Sequence, residues 1–146
     1  MILIDTNLWL YASLRETPHH SAAKAWLEAT LNGDEAIALP WSVVLAVLCI
    51  STQHRLMLHP LKPEQALDLV EGWLQHPLVE VLQPSRTHWD RLRLLLQDAG
   101  TAGNRTSDAH LAALAIEHNC LLCSADSDFR RFAGLRFCNP LRAAER

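Results

Sequence analysis

Short apolar runs alternating with amphipathic segments predict an α/β fold, a single domain in which a parallel sheet of four to five short strands is flanked by helices. Three observations carry this expectation. Ile2-Leu3-Ile4 and Leu121-Leu122-Cys123 are apolar without alternation, as in strands buried on both faces. Between successive runs lie one or two segments with apolar side chains at helical spacing, which suit right-handed crossovers. The chain has 146 residues, 49% hydrophobic and 20% charged, enough for one core, and no repeat, low-complexity run or linker divides residues 1–146.

Taken in order, Ile2-Leu3-Ile4 is the first strand, ending at the polar Asp5-Thr6-Asn7. Leu8–Leu14 and His19–Leu31 read as helices, the second following Pro18 and stopping at Asn32-Gly33. Ala36–Leu39 is a short strand, after which Pro40 opens a helix over Trp41–Arg55 that is apolar nearly all round and therefore central. Pro63 opens the next helix, to Gln75, with Ala66, Leu67, Val70, Trp73 and Leu74 on one stripe. Val79–Leu82 is the third strand. Ser85 caps a helix through Asp98 that ends at Gly100, and Ser107-Asp108 begins another that Asn119 stops. Leu121–Cys123 and Leu135–Cys138 complete the sheet.

Composition narrows the function classes. Net charge is −3, so the chain as a whole does not attract a polyanion, yet residues 1–84 hold 4 basic and 9 acidic side chains while residues 85–146 hold 9 and 7. Phosphate contacts therefore belong to the second half, where every base is Arg. The longest uncharged stretch, Ile37–Gln53, is too short and too polar to cross a bilayer. The N-terminus lacks a basic n-region and a cleavage site, which predicts a cytoplasmic protein, and the four cysteines are expected to be reduced.

In an open parallel sheet, ligands bind beyond the carboxyl ends of the strands. Asp5 follows the first strand, Asp126 and Asp128 follow the fourth, and Asp108 opens the helix that leads into the fourth. Each alone suits a turn or a helix cap. Together they must protonate, spread apart or hold a cation, and carboxylates without adjacent His or Cys suit Mg²⁺ or Mn²⁺.

These residues carry a resemblance. Ile2-Leu3-Ile4-Asp5-Thr6-Asn7, Leu39-Pro40-Trp41-Ser42, Thr106-Ser107-Asp108-Ala109-His110-Leu111-Ala112-Ala113-Leu114-Ala115 and Ser124-Ala125-Asp126-Ser127-Asp128-Phe129 resemble, in order and spacing, the motifs of PIN-domain ribonucleases. Within that family the chain is similar to the VapC-type toxins of bacterial toxin–antitoxin pairs. The resemblance implies an endoribonuclease with Asp5, Asp108 and Asp126 as catalytic residues, and with Asp128 beside them as a possible fourth ligand of Mg²⁺ or Mn²⁺. It also implies an RNA substrate, a cognate antitoxin and a homodimer, with Trp9, Tyr11, Leu14 and Trp26 as candidate antitoxin contacts. The family commonly places a Glu on the helix after the second strand, where this chain is read as having Val47. That departure supports the alternative of a catalytically weakened PIN-like domain that binds RNA or protein.

Other residues are assigned from their positions. Thr6, Asn7, Asn104, Ser107 and Ser124 can orient the carboxylates, and Arg105, Arg130 and Arg131 can meet phosphates without reading sequence. A phosphatase with Asp5 as nucleophile would want an acid where Asn7 stands and a later Lys that is absent. Cys120 and Cys123 are expected to point to opposite faces of a strand and to pack rather than bind zinc. His110, two residues beyond Asp108, is expected to point away from the acids, and the five Trp, spread over several helices, to pack rather than stack on bases.

Overall fold

A computed structural model describes residues 1–144. Five parallel strands, β1 (Ile2–Ile4), β2 (Ile37–Ala38), β3 (Val79–Glu80), β4 (Leu121–Cys123) and β5 (Phe137–Cys138), are arranged in the order β3-β2-β1-β4-β5. As the middle strand, β1 is fully enclosed, and Leu3 and Ile4 have no exposed surface. This accounts for the unbroken apolar run, because each face of the strand meets a helix layer. The pairings of Ile2 with Ile37 and Leu121, and of Leu3 with Ala38 and Leu122, fix the register.

Seven helices connect and flank the strands among the described residues: α1 (Thr6–Ser13), α2 (His20–Leu31), α3 (Trp41–Ser51), α4 (Pro63–Leu74), α5 (His88–Ala99), α6 (Thr106–Glu117) and α7 (Pro140–Ala144). The stop signals act where the sequence places them. Gly100 closes α5 with φ +70°, and Asn119 follows α6 at φ +53°, a left-handed conformation that Asn tolerates better than most residues. Helix α1 packs on α2 and α3, and α5 packs on α6.

The structure corrects several boundaries. Helix α1 begins at Thr6 rather than Leu8, because Asp5 caps it. Helix α3 ends at Ser51, four residues before Arg55. There the Thr52 hydroxyl donates to the Leu48 carbonyl at 2.7 Å, and the chain turns. The following loop is pinned by Glu16, whose carboxylate accepts from the Leu58 and His59 amides at 2.8 and 2.9 Å. Ser85 caps a turn rather than α5, which starts at His88. Helix α7 was not foreseen, yet Asn139-Pro140 is a start signal: Asn139 Oδ1 accepts from the Leu141 amide at 3.0 Å.

Cys120 and Cys123 are buried, as expected, with the Cys123 sulfur 3.4 Å from that of Cys138 on the adjacent strand, whereas Cys49 is exposed. Trp9 is fully buried, donates its indole N–H to the Ile4 carbonyl at 3.2 Å and lies 4.4 Å from Trp73, ring centre to ring centre. Trp9 and Leu14 are therefore core residues and unavailable to a partner, whereas Tyr11 and Trp26 keep some exposed surface. Among the described residues no helix is long and apolar enough to cross a membrane.

Candidate active site

From β1 the chain steps outward through β2 to β3, then crosses back to β4 on the other side. The carboxyl ends of β1 and β4 thus flank a topological switch point, where a crevice opens in sheets of this kind. A cavity of about 590 Å³ lies there, with Asp5, Asn7, Asp108 and Asp126 on its polar side and Val43, Ala46, Ile50 and Leu92 on its apolar side. Three of the four candidate acids therefore converge from residues 5, 108 and 126, as the topology requires.

Asp5 is the most constrained of them. It is only 8% exposed, and both its oxygens are occupied: the Thr6 amide donates to Oδ1 at 2.7 Å and the Ser124 hydroxyl to Oδ2 at 2.7 Å. Ser124, itself fully buried, also accepts from Asn7 Nδ2 at 3.1 Å and from the Asp126 amide at 3.0 Å. Asn7 in turn accepts from the Ala125 amide at 3.3 Å. The Asp-Thr-Asn turn after β1 and the Ser-Ala-Asp turn after β4 are thus sewn together through one hydroxyl. Asp126 also accepts from the Asp128 amide at 2.9 Å, so capping a turn and facing the cleft coexist in one side chain.

The carboxylates feel one another. Burial, followed by the charges of Asp5 and Asp126, pushes the Asp108 carboxyl up to about 6, with Arg105 opposing and Asp128 adding a smaller upward push. Burial also raises Asp5, against its bonds to Ser124 and Thr6, and Asp126 adds to the rise. Among the described residues no three His, Cys, Asp or Glu side chains are drawn closely enough together to hold an ion by themselves. The donor set nonetheless fits a hard divalent cation: it is all oxygen, anionic, and held together against its own repulsion. Ser42, another lining residue of the cavity, carries a buried hydroxyl with no partner among the described residues.

Two residues sit differently from the sequence expectation, Asp128 and Val47. Asp128 is not on the cavity wall; it binds Arg105 at 3.1 Å and lies 3.8 Å from Arg131. Arg105 is thereby held at the rim, while Arg130 is exposed and makes no ion pair among the described residues. Val47 is a fully buried core residue, and the face of α3 that lines the cavity carries Ser42, Val43, Ala46 and Ile50. The place from which a further carboxylate would reach the cleft is therefore Ala46, one residue earlier and about 100° round the helix. Thr6, Ser107 and Asn7 line the cleft, Ser124 acts from behind Asp5, and Asn104 is exposed.

His110 lines the cavity, contrary to the expectation from spacing, because the cavity wraps around the first turns of α6 and takes in Thr106, Ser107, Asp108, His110 and Leu111. Behind it, His110 Nδ1 is 2.9 Å from His88 Nε2, and His88 Nδ1 is 2.8 Å from Glu117 Oε1. The second Glu117 oxygen accepts from the Ser85 amide at 3.2 Å. His88 and Glu117 are nearly closed to solvent, with side chains 13% and 3% exposed. Burial and the neighbouring His88 lower the basicity of His110, with Glu117 opposing. The sequence held a sign of this set, since His110 and Glu117 are seven residues apart and so lie on one face of α6.

Comparison with known proteins agrees with this geometry. Residues 2–135 match the PIN domain. Ribonuclease VapC37 of Mycobacterium tuberculosis is 38% identical over 140 residues, covering 96% of this chain and 97% of that protein. The crystal structure of VapBC2 from Rickettsia felis, bound to a DNA fragment from their promoter, superposes with a TM-score of 0.71, covering 95% of this chain and 98% of that one at 23% identity. A toxin-antitoxin complex from Klebsiella pneumoniae does so with a TM-score of 0.64, covering 96% and 98% at 20% identity. These structures share the fold, and with the match to the domain and to VapC37 they show that the chain belongs to the PIN-domain family, in its VapC ribonuclease branch.

Proposed function

We propose that the chain is an endoribonuclease, the toxin of a toxin–antitoxin pair, acting in the cytosol. Its cleft hydrolyses RNA phosphodiester bonds with Asp5, Asp108 and Asp126 as catalytic residues holding Mg²⁺ or Mn²⁺. The observation that carries this is the convergence of Asp5, Asp108 and Asp126 on one cleft at the crevice between β1 and β4, where burial and then the two neighbouring carboxylates push Asp108 up to about 6, a load that a cation would relieve. Such a cation, when bound, supplies an activated water and offsets negative charge on the phosphate. The protein groups orient the rest. Thr6 and Ser124 hold the Asp5 carboxylate, Asn7 holds Ser124, and the Asp126 amide is fixed by the same hydroxyl. Arg105, braced by Asp128 at the rim, meets a phosphate of the strand.

The antitoxin partner is supported by kinship with VapC proteins and by the Klebsiella complex. A groove lined by Leu10, Tyr11, Ile50, Leu56 and Met57 adjoins the cleft and offers an apolar seat for an antitoxin segment. For the homodimer, Trp41 and Leu45 on α3 and Trp89 and Leu94 on α5 are large apolar side chains left exposed. Purified protein incubated with single-stranded RNA tests the reading: cleavage is expected with Mn²⁺ or Mg²⁺ and none with EDTA. Undiminished cleavage in EDTA by a homogeneous sample would refute the proposed chemistry. RNA binding without cleavage in either metal would favour a weakened domain, to which the lack of a carboxylate among the cavity-lining residues of α3, Ser42, Val43, Ala46 and Ile50, lends support.

A further inference from the structure

The Glu117–His88–His110 chain is not needed to hold a cation, yet it ends in the cleft. Its hydrogen bonds have a definite direction. A carboxylate only accepts, so His88 donates from Nδ1 to Glu117. In the neutral tautomer that this bond leaves to His88, Nε2 carries a lone pair, and His110 donates to it from Nδ1. His110, a lining residue of the cavity together with Asp108 and Asn7, is then left with a bare Nε2, an acceptor that no protein group among the described residues engages. Phosphate oxygens also only accept and are turned away by such an atom. The donor that recurs along a ribonucleotide strand, whatever its base sequence, is the ribose 2′-hydroxyl.

We propose that His110 is a specificity-determining substrate contact, its Nε2 accepting a hydrogen bond from a ribose 2′-hydroxyl, with His88 and Glu117 as the positioning residues that set its polarity. This rests on the ribonuclease reading and extends it to how the cleft tells RNA from DNA. It explains why a nearly closed carboxylate and a nearly closed imidazole stand behind a cleft residue that is itself only partly covered.

The test uses one random-sequence 12-mer, made as RNA, as 2′-fluoro RNA and as DNA, with binding to the full chain read by fluorescence anisotropy in Ca²⁺ and again in EDTA. The 2′-fluoro strand keeps the RNA-like sugar but cannot donate. Wild type is expected to bind RNA about 3- to 10-fold more tightly than the 2′-fluoro strand, the range of one neutral hydrogen bond. His110→Ala is expected to bind the two alike. Glu117→Gln is the sharper variant: the Ser85 amide holds the new amide oxygen, so the NH₂ faces His88 and donates. The chain then reverses, His110 presents an N–H, and the 2′-fluoro penalty shrinks. Nitrogen-15 spectra of the imidazoles should show His110 protonated at Nδ1 in wild type and at Nε2 in Glu117→Gln, independently of any substrate. Equal wild-type binding of RNA and 2′-fluoro RNA, or a wild-type His110 protonated at Nε2, would overturn the contact while leaving RNA cleavage intact. Loss of Mn²⁺ affinity in His110→Ala without loss of 2′ discrimination would make it a cation ligand instead. Failure of wild type both to bind RNA and to cut it in Mn²⁺ removes the ribonuclease reading and this contact with it.

Discussion

Replacing Asp108 by Asn should make the protein more stable while removing its activity. In the folded protein this carboxyl titrates near 6 instead of its ordinary 3.8, so the folded state holds the proton more tightly than the unfolded chain does. Between about pH 4 and pH 6 the folded state therefore carries more protons, stability falls as pH rises, and the penalty is complete above pH 6. The rise corresponds to about 3 kcal/mol. Asp108 remains partly open to water, and screening reduces this to roughly 1–2 kcal/mol. Asn is isosteric and uncharged, so Asp108→Asn should melt about 3–8 °C higher than wild type at pH 7.5 in EDTA. The two should converge near pH 4. Thermal melts of both proteins at half-unit steps from pH 4 to pH 8, each with chelator and with excess Mn²⁺, check this. Excess Mn²⁺ should close most of the gap at pH 7.5, because a ligand bound only by the folded state stabilises wild type more. An Asn variant that melts below wild type in EDTA, or a gap that does not vary with pH, would refute the claim that burial of the Asp108 carboxylate beside Asp5 and Asp126 loads this site.

The phase of α3 is tested by a pair of substitutions. Ala46→Glu should lose about 1–3 kcal/mol in EDTA and recover much of it in Mn²⁺, whereas Val47→Glu, buried with no partner, should lose several kcal/mol and recover none. Equal behaviour of the two in paired melts would show that Ala46 does not face the acids. Ser124→Ala removes the donor at 2.7 Å from Asp5 and should cost about 1–3 kcal/mol in denaturant titrations, together with a loss of RNA cleavage larger than that of Asn104→Ala. Arg105→Gln should weaken RNA binding and lower the slope of log affinity against log salt by about 0.7, as one lost phosphate contact does on a single strand; an unchanged slope would place the arginine off the RNA path.

Much of this architecture was legible because the strands are short and wholly buried. Ile2-Leu3-Ile4 reads as a central strand from its composition, and once a parallel sheet is inferred, Asp5, Asp108 and Asp126 must gather at the carboxyl ends. Helix phase was less legible. Val43, Ala46, Val47 and Ile50 are all apolar, so no polar stripe marks which face of α3 meets the cleft, and an error of one residue turns the side chain from cavity to core. The surroundings of Asp128 were not legible, because a turn residue two beyond Asp126 can face either the acids or a passing guanidinium, and here its carboxylate meets Arg105. His110 was dismissed by treating the site as one stripe of α6, whereas a cleft at a helix N-terminus touches more of its circumference. The Trp9 contact with Trp73 joins α1 to α4 across 64 residues of sequence, a meeting that local pattern does not reveal.

The central claim, that Asp5, Asp108 and Asp126 together hold the divalent cation used to cut RNA, is tested most directly by locating the ion. Crystals soaked in Mn²⁺ and measured at the manganese absorption edge should show an anomalous peak bounded by these three carboxylates, and the peak should be lost from crystals of Asp126→Asn, whose solution activity on RNA is also lost. A peak elsewhere in the molecule, or an empty cleft at saturating Mn²⁺ under conditions in which the same preparation cleaves RNA, would contradict the account.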